Sequence, residues 1–190
     1  MVNDKITDVG IDIDGVIFDF ASAFHEYCSY RLKNDSLPMP THWDFYLEWG
    51  LTFKSFNDLL KEATVDERLF MWRYPIQNSL QGWESLKNQG LRIHILTHRA
   101  SYAYSQTTEW LEKHKMFPDT LHFGYEKDIL KHISHKKAAA VDDYTKYYDM
   151  YNNNGVMPFL MTQPWNIGHR ATRVTDLLDF ATKVKEYNEK

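Results

Sequence analysis

Asp12-Ile13-Asp14-Gly15-Val16 carries the most reactive pattern in the chain: two carboxylates two residues apart, followed by a glycine. One carboxylate of such a pair can attack phosphorus and hold the phosphoryl group as an acyl phosphate, splitting one hard displacement into two easier ones. The other can protonate the leaving oxygen and then activate water. Gly15 lets the backbone turn sharply, which could present the Asp14 carbonyl as a further metal ligand. Thr97 offers a hydroxyl, Lys127 an ammonium, and Asp142-Asp143 a second acidic pair. A hydroxyl and an ammonium can hold the transferring oxygens. Four carboxylates at one spot repel each other, and a hard divalent cation resolves this. Magnesium takes oxygen ligands and bridges carboxylates to phosphate. The expected catalytic residues are therefore Asp12, Asp14, Thr97 and Lys127. The expected metal ligands are Asp12 and Asp14, with Asp142 or Asp143. Each motif alone is commonplace; Asp-x-Asp-Gly is often a solvated turn, and a Thr at a strand end often caps a helix. Their joint order along the chain carries the weight.

These groups meet only if the fold delivers them to one sheet edge. Five short runs read as strands: 6–12, 91–97, 120–123, 138–142 and 156–161. Most are apolar, as parallel strands covered on both faces tend to be. Helical patterns lie over 80–89, 102–115, 127–133, 144–153 and 172–188. Alternation of this kind predicts an α/β fold, a Rossmann-like parallel sheet flanked by helices. Ligands of such sheets bind outside the carboxyl ends of the strands, where the acidic residues fall. On a regular strand Asp12 and Asp14 would share a face.

Roughly 80 residues separate the first two strands, too many for one crossover helix. Residues 20–77 read as a small, mostly helical cap, and 1–19 with 78–190 as the core. A helix is expected over 19–33, then a break at Leu37-Pro38-Met39-Pro40, then two or three further helical segments. Aromatics are dense in this insertion, and most should form its own core. A minority facing the sheet could stack on a flat ligand.

Bulk properties narrow the function classes. A chain of 190 residues can bury a real core. A net charge of −4 argues against a protein that coats nucleic acid, so no stable nucleic-acid partner is expected. Cys28 is the single cysteine and cannot form a disulfide within the chain, which suits a reducing compartment. It sits among Phe24, Tyr27 and Tyr30 and reads as a small buried hydrophobe. With no signal-peptide run and no apolar stretch near 20 residues, the expectation is a cytoplasmic protein without a membrane span. A homodimer is left open.

The four motifs resemble those of the haloacid-dehalogenase (HAD) superfamily of phosphohydrolases. Asp12 to Val16 is similar to its first motif and Ile93-His94-Ile95-Leu96-Thr97 to its second. Lys127 resembles the third, and Ala140-Val141-Asp142-Asp143 the Asp-Asp form of the fourth. Within the superfamily the chain is most similar to the 5'(3')-deoxyribonucleotidase group. That resemblance implies a HAD-like core with a helical cap after the first strand, an aspartyl-phosphate on Asp12, and Mg²⁺. It implies Asp143 as metal ligand with Asp142 in support. It implies substrate contacts from Phe20, and from Trp43 and Phe45 within Thr41-His42-Trp43-Asp44-Phe45-Tyr46. Thr97, His98, Arg99 and Lys127 are the expected phosphate-side contacts, with Arg99 open between substrate phosphate and a surface ion pair. Lys131, Lys136 and Lys137 are alternatives to Lys127. Trp165-Asn166 after Pro164 resembles a family feature, and a structural turn explains it equally well. The implied substrate is a nucleoside monophosphate. Another small phosphate ester, such as a sugar phosphate or a nucleic-acid 3'-phosphate, is the alternative, and an inactive binding module a weaker one.

Overall fold

Strand β1 (Asp8–Ile11) is buried along its whole length, as a central parallel strand must be. The computed structural model describes residues 5–124 and 137–190. Around β1 run β2 (Arg92–Thr97), β3 (Thr120–Phe123), β4 (Ala138–Asp142), β5 (Met157–Met161) and β6 (Arg173–Val174). All pair in parallel, in the order β3-β2-β1-β4-β5-β6. The expected α/β class and parallel sheet are therefore present. Ile11 stands in register with Ile95 on one side and Val141 on the other. Because the chain leaves β1 for β2 and returns to β4, the β1/β4 boundary is a topological switch point. Such a boundary opens a crevice at the strands' carboxyl ends.

Among the described residues six helices accompany the sheet: α1 (Phe20–Leu32), α2 (Phe53–Val65), α3 (Ser79–Asn88), α4 (Tyr104–Lys113), α5 (Thr145–Asn153) and α6 (Leu177–Asn188). Their starts follow from capping chemistry. The Asp19 carboxylate accepts from the Ser22 N–H, Thr52 and Ser55 form a reciprocal capping box, and Asp176 accepts from the Asp179 N–H. Alternate residues of β4 serve opposite faces: Ala139 and Val141 pack with Val9, Ile11, Ile93 and Ile95, while Ala138 and Ala140 pack with Leu96, Tyr151 and Val156. Gly82 lets α3 touch α6, since a Cβ there would lie 2.4 Å from the Leu177 carbonyl carbon. Cys28 is buried, and burial pushes its thiol up to about 12, as befits a packing residue. Among the described residues no helix is long and apolar enough to cross a membrane.

The structure differs from the sequence reading in three places. A sixth strand exists where a helix start was expected. It has only two residues, too few for any periodicity, and is defined by Leu160 pairing with Arg173 and Met161 with Val174. Within 20–77 the segments after α1 are one full helix, α2, and two short 3-10 turns at Phe45–Leu47 and Leu69–Met71. The third difference concerns Asp14. Strand pairing ends at Ile11, and the Ile13 carbonyl accepts the N–H groups of Val16, Ile17 and Phe18. Asp14 thus sits in a tight turn and does not share a strand face with Asp12. The expected 127–133 helix lies outside the described residues.

Candidate active site

Asp12 follows β1 directly, and its N–H donates to the Val141 carbonyl at 3.1 Å. That bond seats Asp12 beside Asp142 and Asp143 at the end of β4. Carboxylate oxygens of these three buried residues all lie within 4.8 Å of one another. At that separation, two full charges repel by roughly 3 kcal/mol at an effective dielectric of about 20. Nearby donors offset part of this. Trp165 Nε1 donates to Asp143 Oδ2 at 3.1 Å, and the Tyr144 N–H donates to Asp142 Oδ1 at 3.0 Å. The Tyr151 hydroxyl lies 3.4 Å from Asp142 Oδ2. Its own burial, with the Asp142 and Asp12 charges beside it, pushes that phenol well above its ordinary range, so it stays a donor. An oxygen-only set of crowded carboxylates fits a hard divalent cation.

The turn after Asp12 is shaped for this cluster. Gly15 has φ of +76°, and a Cβ there would lie 2.1 Å from Asp143 Oδ2. Gln163 Nε2 donates to the Gly15 carbonyl at 2.6 Å, tying the turn to the segment after β5. Asn166 braces the other side. Its amide donates to the carbonyls of Asp143 and Met161, both at 2.8 Å. Its Oδ1 accepts from the Gln163 N–H and from Arg173 Nη1. Trp165 and Asn166 thus form a structural turn and also support Asp143. Replacing Asn166 by Ala is expected to cost about 2–3 kcal/mol by leaving buried polar groups unpaired, read as a lower urea midpoint.

Arg99 is placed differently from either expectation. Its guanidinium makes an ion pair with Asp14 (Nη2 to Oδ1, 2.8 Å), but a buried one, with the arginine side chain only 1% exposed. Thr97 is buried, and its hydroxyl accepts from the Arg99 N–H at 3.2 Å.

A cavity of about 300 Å³ opens over the cluster. Asp12, Asp14, Asp142 and Asp143 line it from the sheet side, with His98, Arg99 and Trp165. Phe20, Trp43, Phe45, Tyr46, Phe56 and Phe70 line it from the segment between β1 and β2. Trp43 stacks on Tyr144, with ring centroids 3.8 Å apart and planes 12° from parallel. Phe20 stacks on Phe24 at 5.5 Å, and Phe45 packs on Trp49 at 4.8 Å. Many of the insertion's aromatics pack on one another, but seven of the thirteen within 20–77 line the cavity, more than the minority expected from the sequence.

Of the residues singled out in the sequence, Asp12, Asp142 and Asp143 come together. Asp14, Phe20, Trp43, Phe45, His98 and Arg99 join the same cavity wall. Thr97 stands apart from that wall, and the Asp14 carboxylate lies outside the three-acid cluster. Lys127, Lys131 and Lys136 lie outside the described residues. Sequence reasoning did not find Gln163, Tyr151 or Thr107. Each acts through a partner that no local spacing marks.

Residues 5–183 match the model of the family described as "5' nucleotidase, deoxy (Pyrimidine), cytosolic type C protein". A protein of Chlorobaculum tepidum, named as a candidate 5'(3')-deoxyribonucleotidase, is 33% identical over 115 residues. That match covers 56% of this chain and 56% of the relative, so it spans about half the relative's length. Among solved structures, a HAD-superfamily hydrolase of Geobacter sulfurreducens has a TM-score of 0.66 at 13% identity, covering 94% of this chain and 96% of the other. A candidate HAD-hydrolase of Bacillus subtilis, bound to magnesium, has a TM-score of 0.66 at 14% identity, covering 95% and 99%. At such identities the likeness is one of fold.

Proposed function

The chain belongs to the cytosolic type C family of 5' nucleotidases, and from that premise we propose a magnesium-dependent phosphomonoesterase that hydrolyses nucleoside monophosphates, deoxyribonucleotides among them. One observation carries the reading: three buried carboxylates form the floor of a cavity whose opposite wall is aromatic. Its volume of about 300 Å³ is at the lower end of small-molecule pockets. Flat aromatic walls suit a nucleobase better than a bare sugar.

Asp12 is the nucleophile. Its carboxylate attacks phosphorus as the bond to the nucleoside oxygen breaks, and the phosphoryl group passes to Asp12. Asp14 gives its proton to the departing oxygen and later takes one from the water that hydrolyses the aspartyl-phosphate. Asp12, Asp143 and Asp142 would hold a magnesium ion, which would offset charge on the carboxylates and on the phosphoryl oxygens. Thr97 still has a hydroxyl proton to donate to a phosphate oxygen, and Lys127 is assigned the other. Phe20, Trp43 and Phe45 flank the base, and His98 borders the phosphate end. Residues 20–77 serve as the cap that screens the reaction from water, over a core of 1–19 and 78–190. The single buried Cys28 and the substrate class fit a cytoplasmic setting.

Phosphate release from a panel of nucleoside monophosphates and sugar phosphates, with magnesium or with chelator, tests this. Nucleotides are expected to exceed sugar phosphates in kcat/KM by about tenfold or more, ~1.4 kcal/mol of discrimination. Activity that survives chelation would sink the metal role. Faster turnover of sugar phosphates would sink the nucleotidase assignment.

A further inference from the structure

We infer that Arg99 is a positioning residue that fixes the Asp14 carboxylate for proton transfer, and is not a contact to the substrate phosphate; this rests on the role given to Asp14 above. Every nitrogen of the Arg99 fork has a protein partner. Nη2 donates to Asp14 Oδ1 at 2.8 Å, and Nε is shared between Oδ2 at 3.0 Å and Oδ1 at 3.3 Å. Nη1 donates to Thr107 Oγ1 at 3.0 Å. The Arg99 N–H donates to Thr97 Oγ1, which fixes the base of the side chain.

The guanidinium is also held by its faces. Its central carbon lies 3.7 Å from the Phe70 ring centroid and 4.8 Å from that of Phe18. Such cation–π contacts are strongest when water is excluded, as it is here. Thr107 belongs to α4 and Phe70 to the segment between β1 and β2, so two separate parts of the chain set the position of Arg99. Among the described residues, no other group donates a hydrogen bond to the Asp14 side chain. Withdrawing the guanidinium, only 1% exposed, from its partner would leave a buried charge unpaired at a cost of several kcal/mol. Arg99 therefore stays with Asp14 when an anion enters, even though its edge lines the cavity.

The two Asp14 oxygens are held unequally. Oδ1 takes Nη2 and part of Nε, whereas Oδ2 takes Nε alone. Oδ2 therefore keeps capacity for the proton in transit. With the side chain 25% exposed, that oxygen can meet the leaving group and then water. In the first step the Asp12–phosphorus bond forms, the phosphorus–ester oxygen bond breaks, and the proton on Asp14 passes to that oxygen.

The test compares kcat/KM for a nucleoside 5'-monophosphate, whose alkoxide needs a proton, with that for p-nitrophenyl phosphate, whose phenolate does not. Wild type, Asp14→Asn, Arg99→Met and the double variant are measured. The ratio of the two constants does not depend on how much of a variant is folded. Asp14→Asn and Arg99→Met are both expected to lower the nucleotide-to-aryl ratio by about tenfold or more, within the range that general acids contribute. The double variant should match the Asp14→Asn ratio. Equal losses on both esters in Arg99→Met, or a double variant whose ratio falls further, would overturn the inference. If wild type does not turn over the nucleotide, or Asp14→Asn leaves the ratio unchanged, the functional reading itself fails and the inference falls with it.

Discussion

Asp12→Asn is expected to abolish phosphate release, by at least about 10⁴-fold, the scale on which removal of a catalytic nucleophile falls. The amide keeps the shape of the carboxylate, and the bond from the Asp12 N–H to the Val141 carbonyl is untouched. The loss therefore measures chemistry and not folding. The same substitution should move stability the other way. Asp12 is one of three buried carboxylates within 4.8 Å, and neutralising one relieves repulsion between like charges. In chelator the variant should melt higher than wild type by about 2–4 °C, the shift that ~1 kcal/mol brings in a chain of this size. Magnesium should raise the wild-type midpoint and raise the variant's less, because the variant has lost a ligand. Calorimetry with and without magnesium, beside a phosphate-release assay, reads all three effects. Residual turnover near the wild-type rate would remove the covalent mechanism. A variant that melts lower in chelator would show that the three carboxylates are not strained together.

Gly15→Ala should damage the site without removing any chemical group. The backbone at Gly15 has φ of +76°, which an alanine adopts only with strain. The added methyl would also lie 2.1 Å from Asp143 Oδ2 and 3.2 Å from Asp143 Cβ. Something must move, and Asp143 is pinned by Trp165 at its carboxylate and by Asn166 at its carbonyl. The expected cost is about 1–3 kcal/mol of stability. Displacement of Asp143 should also raise the magnesium concentration needed for half-maximal activity, by about tenfold or more if it costs ~1.4 kcal/mol of metal binding. Denaturant titration gives the first quantity and a magnesium titration of phosphate release the second. An unchanged magnesium requirement in a destabilised Gly15→Ala protein would mean that Asp143 is not a ligand.

Much of this site was legible before any fold was known. Asp12 and the Asp142-Asp143 pair each follow a short apolar run, and such runs mark buried parallel strands whose carboxyl ends face ligands. Residue type and local periodicity suffice for that, because burial on both faces demands an apolar run wherever the strand lies. The sheet order then set β1 between β2 and β4, and the three acids met. The dense aromatics of 20–77 likewise announced a packed segment, although not that its rings would join the core cluster of the sheet or which of them would line the cavity.

What the sequence left open lies in contacts between distant parts of the chain. Asp14 and Arg99 are 85 positions apart, and Gln163 and Gly15 are 148 apart. Arg99 could equally have been a phosphate ligand or a surface ion pair, since an arginine after a strand end carries no mark of its partner. The turn at Ile13 decided the matter by lifting Asp14 off the strand direction, and Phe70 and Thr107 closed around the guanidinium from elsewhere. The two-residue β6 escaped notice for the same reason, being defined by its pairing with β5. The sequence by itself determined the parallel α/β sheet and the acids at its strand ends, because those follow from local burial and residue chemistry. Only the tertiary structure decided which acids share one cluster and which is held by an arginine, because that depends on how crossovers and turns bring remote segments within hydrogen-bond reach.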